Sequence, residues 1–192
     1  MPRAMLAMAG CLILAVIWLL PLEAWLGRFP LHMVRHMMLV AVVPPLLILG
    51  WPRLGQICAV PVLLAAGAEF LLVWAWHLPS FHGAAATGPA AFAVEQASFL
   101  AVGLLAWAGF LGAANPLAGA AGLLLTFMHM TLLGAILVLA PRDVYAAACG
   151  TDPDLAAQQI GGMIMLGLGT PIYLVAGLTL VARALNLREA GT

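Results

Sequence analysis

An all-α integral membrane bundle of about six antiparallel transmembrane helices is the fold that the sequence predicts, on three observations. Of 192 residues, 65% are hydrophobic and only 7% charged, where a soluble domain carries about 25% charged residues. Six apolar stretches approach the roughly 20 residues needed to cross a bilayer, and Pro, Gly, Arg or Asp separate them. Connections are short except at 141–156, so neighbouring helices pack antiparallel and residues 1–192 make a single transmembrane domain.

The first span is expected near 4–22. Arg3 and the apolar run behind it resemble a signal peptide, but the run is too long and has no small-residue cleavage site, so it is read as a retained helix. Met8-Ala9-Gly10-Cys11 has too few apolar residues ahead of it for a lipoprotein box. The second span, near 31–50, contains Pro44-Pro45, which removes backbone donors and predicts a kink. The third to sixth lie near 55–77, 90–111, 117–140 and 157–184. Gly161-Gly162, Gly167, Gly169 and Gly177 in the last of these permit close helix approach. Trp18, Trp25, Trp51, Trp74, Trp76 and Trp107 fall near span ends, where amphipathic rings prefer to sit.

Composition also excludes functions. Seven acidic residues balance seven arginines, so there is no basic patch for nucleic acid. Cys11, Cys58 and Cys149 are odd in number and far apart, which gives no disulfide framework or zinc-finger spacing. Phosphate loop, nucleophile elbow and H-E-x-x-H are all missing, so enzyme activity is not expected. Arginine without lysine, beside abundant Ala, Leu and Gly, has the bias of a GC-rich bacterial genome. Four arginines against three place the N-terminus inside by a small positive-inside margin.

Alternating helix direction brings the start of span two, the end of three, the start of four, the end of five and the start of six to one membrane face. His32, His36, His77 and His82 all fall there, with Glu95-Gln96, Asp143 and Gln158-Gln159. The other face has Arg53, Asn115, Arg183 and Asn186, which are poor metal ligands. His32 and His36 stand one helical turn apart and can hold one metal ion or flank one cofactor. Alternatively, they are interfacial histidines bonded to headgroups, water or Glu23. Met33 and Met37 form an adjacent thioether stripe, which leans the set toward copper, although Met in an apolar bundle most often fills gaps.

His77 alone reads as a polar helix end, and His82 as a solvated residue of the connection after span three. Glu69 and Glu95 are costly within a span and call for an interior partner, through function or an interhelical hydrogen bond. His129, deep in span five, has four readings: haem ligand, proton relay, copper relay with its methionine neighbours, or hydrogen bonding across helices.

Four segments carry a resemblance: His32-Met-Val-Arg-His36 running into Val43-Pro44-Pro45, Trp74-Ala-Trp-His77-Leu-Pro79, Leu133-Gly134-Ala135 through Ala140-Pro141-Arg-Asp-Val-Tyr145, and Gln158-Gln159-Ile-Gly161-Gly162. Over about residues 30–180 the chain resembles the multi-spanning CtaG family of cytochrome c oxidase assembly factors (caa3-oxidase type). The resemblance implies a multi-pass protein of the bacterial inner membrane that helps mature a haem-copper oxidase by handling copper for it. Its implied partners are an oxidase subunit and the bilayer, with homo-oligomerisation left open. Its implied metal residues are His32, His36, His77 and Glu95. Gln158, Gln159, His129, Glu69, Met33 and Met37 are supporting or relay positions. Two positions depart from the family pattern: Gln96 stands where it has His, and Ala157 where it has an acidic residue.

Three functions follow as expectations. The first is transient Cu(I) binding and handover at the outer face, toward the periplasm or cell exterior. The alternatives are a b-type haem protein, or a small copper or proton transporter suggested by Glu69, Glu95, His129 and the Pro44-Pro45 kink.

Overall fold

The computed structural model describes residues 2–189, so Met1 and residues 190–192 of the predicted domain lie outside the described residues. Among the described residues there are helices and turns and no strand. The helices are α1 (Arg3–Leu19), α2 (Glu23–Leu26), α3 (Arg28–Met37), α4 (Val43–Gly50), α5 (Pro52–Cys58), α6 (Val62–His77), α7 (Pro79–Thr87), α8 (Pro89–Leu111), α9 (Pro116–Leu139), α10 (Ala146–Cys149) and α11 (Leu155–Glu189). A π-helical segment, Met38–Val42, joins α3 to α4 without a break.

Proline marks the starts. Pro52, Pro79, Pro89 and Pro116 each occupy the first turn of a helix, where the missing N–H has no intrahelical partner to lose. Asn115 adds a cap to α9 by accepting a hydrogen bond from the Leu117 N–H at 3.0 Å. Gly27, at φ 80°, takes the left-handed conformation that separates α2 from α3.

Among the described residues, four or five spans rather than the expected six are long and apolar enough to cross a membrane. Arg28–Gly50, Pro89–Leu111, Pro116–Leu139 and Leu155–Leu187 are long and apolar enough, and the count rises to five if α5 and α6 form one bent span. The expected first span shortens to 17 residues in α1, below the roughly 20 that hydrocarbon thickness requires. The expected third span breaks into α5 and α6 at an 83° bend, because Pro61 lacks a donor and forces the residue before it out of the helical region. The stretch 79–87, read from sequence as part of a connection, is helix α7, begun by Pro79.

The Pro44-Pro45 pair produces a π segment. Without N–H groups at 44 and 45, the carbonyls of Val40 and Ala41 lose their usual i+4 donors. The Trp107 indole N–H fills one gap, donating to the Val40 oxygen at 2.9 Å. The close approach this needs is possible because α8 carries Gly103 there; a Cβ on Gly103 would lie within 3.0 Å of the Leu39 oxygen, Pro44 and the Val40 Cα.

The surface inverts that of a soluble protein. Large apolar residues such as Leu63, Leu71, Leu124, Leu132, Leu139 and Val175 are exposed, while His36, Glu69, Glu95, Thr126 and Gln158 are buried. That distribution suits a lipid solvent. The most extensive helix contact joins α9 to α11, and there Gly134 and Gly162 face each other's backbone. Met33 packs on Gly161 and the Met37 methyl on Gly169, so both thioethers fill the α3–α11 contact.

Candidate functional site

At the membrane face where α3, α8 and α11 begin and α6 ends, a cavity of about 820 Å³ opens between the helices. His32, Arg35, His82, Asp143, Tyr145 and Cys149 are among its lining residues. The amphipathic start of α3 accounts for the local fold: Pro30, Leu31, Met33, His36 and Met37 turn inward, while Arg35 turns toward α1. There its guanidinium donates to the Ile17 oxygen at 3.1 Å and lies over the Trp18 ring, 4.8 Å from the centroid.

Six side chains form two tiers in register with helical spacing. In the outer tier, His32 Nε2 lies 3.4 Å from Glu95 Oε1, and the His32 and His82 rings meet edge-on at 4.8 Å. One donor atom from each of His32, His82 and Glu95 lies within 4.8 Å of the other two. Donors bound about 2.1 Å from one ion lie at most about 4.2 Å apart, so small ring rotations would close this set. One turn further along α3 and α8, the inner tier places His36 with its ring 5.0 Å from that of His77 and 4.3 Å from that of Phe99.

Unsatisfied atoms concentrate in these tiers. Both ring nitrogens of His36, Nε2 of His77, Nδ1 of His82 and Oε1 of Glu95 are buried without a hydrogen-bond partner, an arrangement that folding alone disfavours. Glu95 is held from behind, since the Gln96 amide donates to its Oε2 at 2.9 Å. Gln96 therefore orients the carboxylate.

The 140–155 loop closes one wall. Asp143 organises it by accepting from the backbone N–H groups of Tyr145 at 2.8 Å, Ala146 at 3.1 Å and Asp154 at 2.9 Å. Gln158 accepts from the Val144 N–H at 2.8 Å and donates to the Leu137 oxygen at 3.0 Å, while Gln159 donates to the Val138 oxygen at 3.1 Å. The two glutamines thus pin α11 and the loop to the end of α9. Tyr145, so held, lies tilted against the His82 ring with centroids 4.3 Å apart and donates its hydroxyl to the His77 oxygen at 3.0 Å. Burial, aided by His77, lowers His82 to about 4 against the opposing pull of Asp143. His82 is therefore neutral at pH 7, with a lone pair to offer.

The expected residues separate accordingly. His32 and Glu95 meet in the outer tier, His36 and His77 in the inner one. Gln158 and Gln159 support the wall, and Met33 and Met37 face α11. His129 packs edge-on against Phe70 at 5.4 Å, with both ring nitrogens unpartnered. Glu69, fully buried, accepts from Thr126 and, at 3.4 Å, from the Tyr173 hydroxyl. His82 enters the site although it was read as solvated; it is 4% exposed. Tyr145, Phe99 and Asp143 were not singled out as site residues. Asp143 and Tyr145 had a signal in the Ala140-Pro141-Arg-Asp-Val-Tyr145 segment, and Phe99 had one only in its spacing one turn after Glu95.

Fold and site together define a polytopic helical membrane protein with a histidine-lined cavity at one end. Residues 53–186 match the family of the cytochrome c oxidase caa3 assembly factor (Caa3_CtaG), and the chain belongs to that family. The match contains His77, His82 and Glu95 but begins after α3, so His32 and His36 lie outside it. No curated protein matches the chain. No solved structure matches it.

Proposed function

We propose that this assembly factor binds Cu(I) transiently in the outer tier and passes it to an oxidase subunit at the periplasmic face of a bacterial inner membrane. The observation that carries the reading is the convergence of His32 on α3, His82 on α7 and Glu95 on α8, with both imidazoles lining the cavity and the buried carboxylate behind them. Two imidazoles and a carboxylate suit copper or zinc. Three protein ligands leave a coordination position open, as a site that gives up its ion needs and a closed four-ligand structural site does not. The cargo of a factor serving a haem-copper oxidase favours copper over zinc. The cavity of about 820 Å³ leaves room for a donor loop or an acceptor's ligand to reach the ion.

Competition between the detergent-purified protein and a chromophoric Cu(I) chelator, without oxygen, tests this reading. His32→Ala and His82→Ala should each weaken binding at least about tenfold, equivalent to about 1.4 kcal/mol. Wild-type affinity in the double variant would remove the site.

A further inference from the structure

We infer that His36 and His77 form a second Cu(I) station, one helical turn deeper than the cavity site and selective for the monovalent ion. The inference rests on the proposed outer site and adds an acceptor to it. His32 and His36 share a face of α3, and Glu95 and Phe99 share a face of α8, so the two tiers are about 5–6 Å apart along the bundle. The inner tier is built for a ligand. The His77 Nδ1 atom lies 2.7 Å from the Val73 oxygen. A carbonyl only accepts, so Nδ1 carries the proton and Nε2 keeps its lone pair. Binding histidines to metals commonly involves this fixing of the tautomer by a backbone carbonyl. That Nε2 has no partner, and neither ring nitrogen of His36 has one, although His36 is fully buried and His77 is 7% exposed.

The inner tier differs from the outer one in charge and dryness. Phe99, fully buried, lies against His36 and 6.4 Å from His77. Among the described residues no carboxylate joins the pair: Glu95 sits one turn outward with His32, and Glu69 is engaged by Thr126 and Tyr173. Two neutral imidazoles satisfy Cu(I), which accepts two nitrogen ligands in a line. They leave a dication in a dry site with its charge uncompensated. The outer tier, with its carboxylate and open cavity, admits Cu(I), Cu(II) or Zn(II). Passage between tiers is ligand exchange: bonds to His32, His82 and Glu95 break as bonds to His36 and His77 Nε2 form. Copper stays Cu(I) throughout, and no electron is transferred.

The test titrates the whole detergent-purified protein with Cu(I) against a chromophoric chelator without oxygen, and separately with Zn(II). Wild type should bind two equivalents of Cu(I) but one of Zn(II). His36→Gln and His77→Gln, which keep a polar side chain of similar size, should each lose one Cu(I) equivalent and keep the Zn(II) equivalent, which also reports an intact outer tier. His32→Ala should lose the Zn(II) equivalent. A single Cu(I) equivalent in wild type, unmoved by His36→Gln and His77→Gln, would overturn the inner station and leave the outer site standing. A single Cu(I) equivalent in wild type that is lost in every one of these variants would mean one joint site and also overturn it. Failure to bind Cu(I) at all would bring down the outer site with it.

Discussion

At the scale of single residues, the cavity wall offers a thiol as well as imidazoles, and its protonation is set by its surroundings. Partial burial, with Asp143 nearby, raises the Cys149 pKa, and Arg28 opposes that shift without cancelling it. A raised pKa leaves less thiolate at a given pH, and thiolate is the reactive form. In a Cys11→Ser, Cys58→Ser background, alkylation of Cys149 should therefore reach half its maximal rate at a higher pH than a free cysteine does. A profile matching free cysteine would contradict the electrostatics described for this wall. Glu69 allows a different test, because its hydrogen bonds from Thr126 and Tyr173 account for its burial. Glu69→Leu leaves two buried hydroxyls unpaired and should cost about 1–3 kcal/mol per group, read as a lowered Tm in detergent. Glu69→Gln should recover much of that loss, and Cu(I) affinity should stay at the wild-type level in both.

Among the helices, proline chemistry explains both the regular and the irregular parts of the bundle. Helix starts at Pro89 and Pro116 and the deviation at Pro44-Pro45 could be read directly, because the missing N–H acts locally. The 83° bend before α6 was less legible, since residues 55–77 are mostly apolar and periodicity does not separate a straight span from one broken at Pro61. Helix α7 was hidden for a related reason: the residues that follow Pro79, mostly Ala, Gly and Ser, look like a connection until their packing against α8 and α10 is seen. His82 was misread with it. Trp107 illustrates how a distant element repairs a local defect, satisfying the Val40 oxygen that Pro44 leaves free. Trp107→Phe keeps most of the volume but strands that carbonyl, so it should cost about 1–3 kcal/mol, seen as a lower Tm. An unchanged Tm would show that the π segment does not depend on the indole.

At the scale of the whole molecule, helix direction did most of the predictive work. Parity alone assigned His32, His36, His77 and Glu95 to one end of the bundle, because a short connection reverses the chain and leaves no other choice of side. Parity could not divide them into two tiers or place Tyr145 between His77 and His82. Those depend on helix rotation and on a loop tied by Asp143 and Gln158, neither of which leaves a periodic trace. The same limit explains Met33 and Met37: the stripe is real, but the rotation of α3 turns it to the α11 glycines and leaves the imidazoles as the donors at the site. Most of the buried polar groups gather at one end, with Glu69, Thr126 and His129 deeper in the bundle, and that gathering fits the proposed receipt of a cation from one aqueous side. Diffraction at the copper absorption edge, from crystals grown with Cu(I), tests the central claim most directly. An anomalous peak at bonding distance, about 2.0–2.3 Å, from ring nitrogens of both His32 and His82 is the result expected. Copper found only at sites remote from both rings would contradict the account.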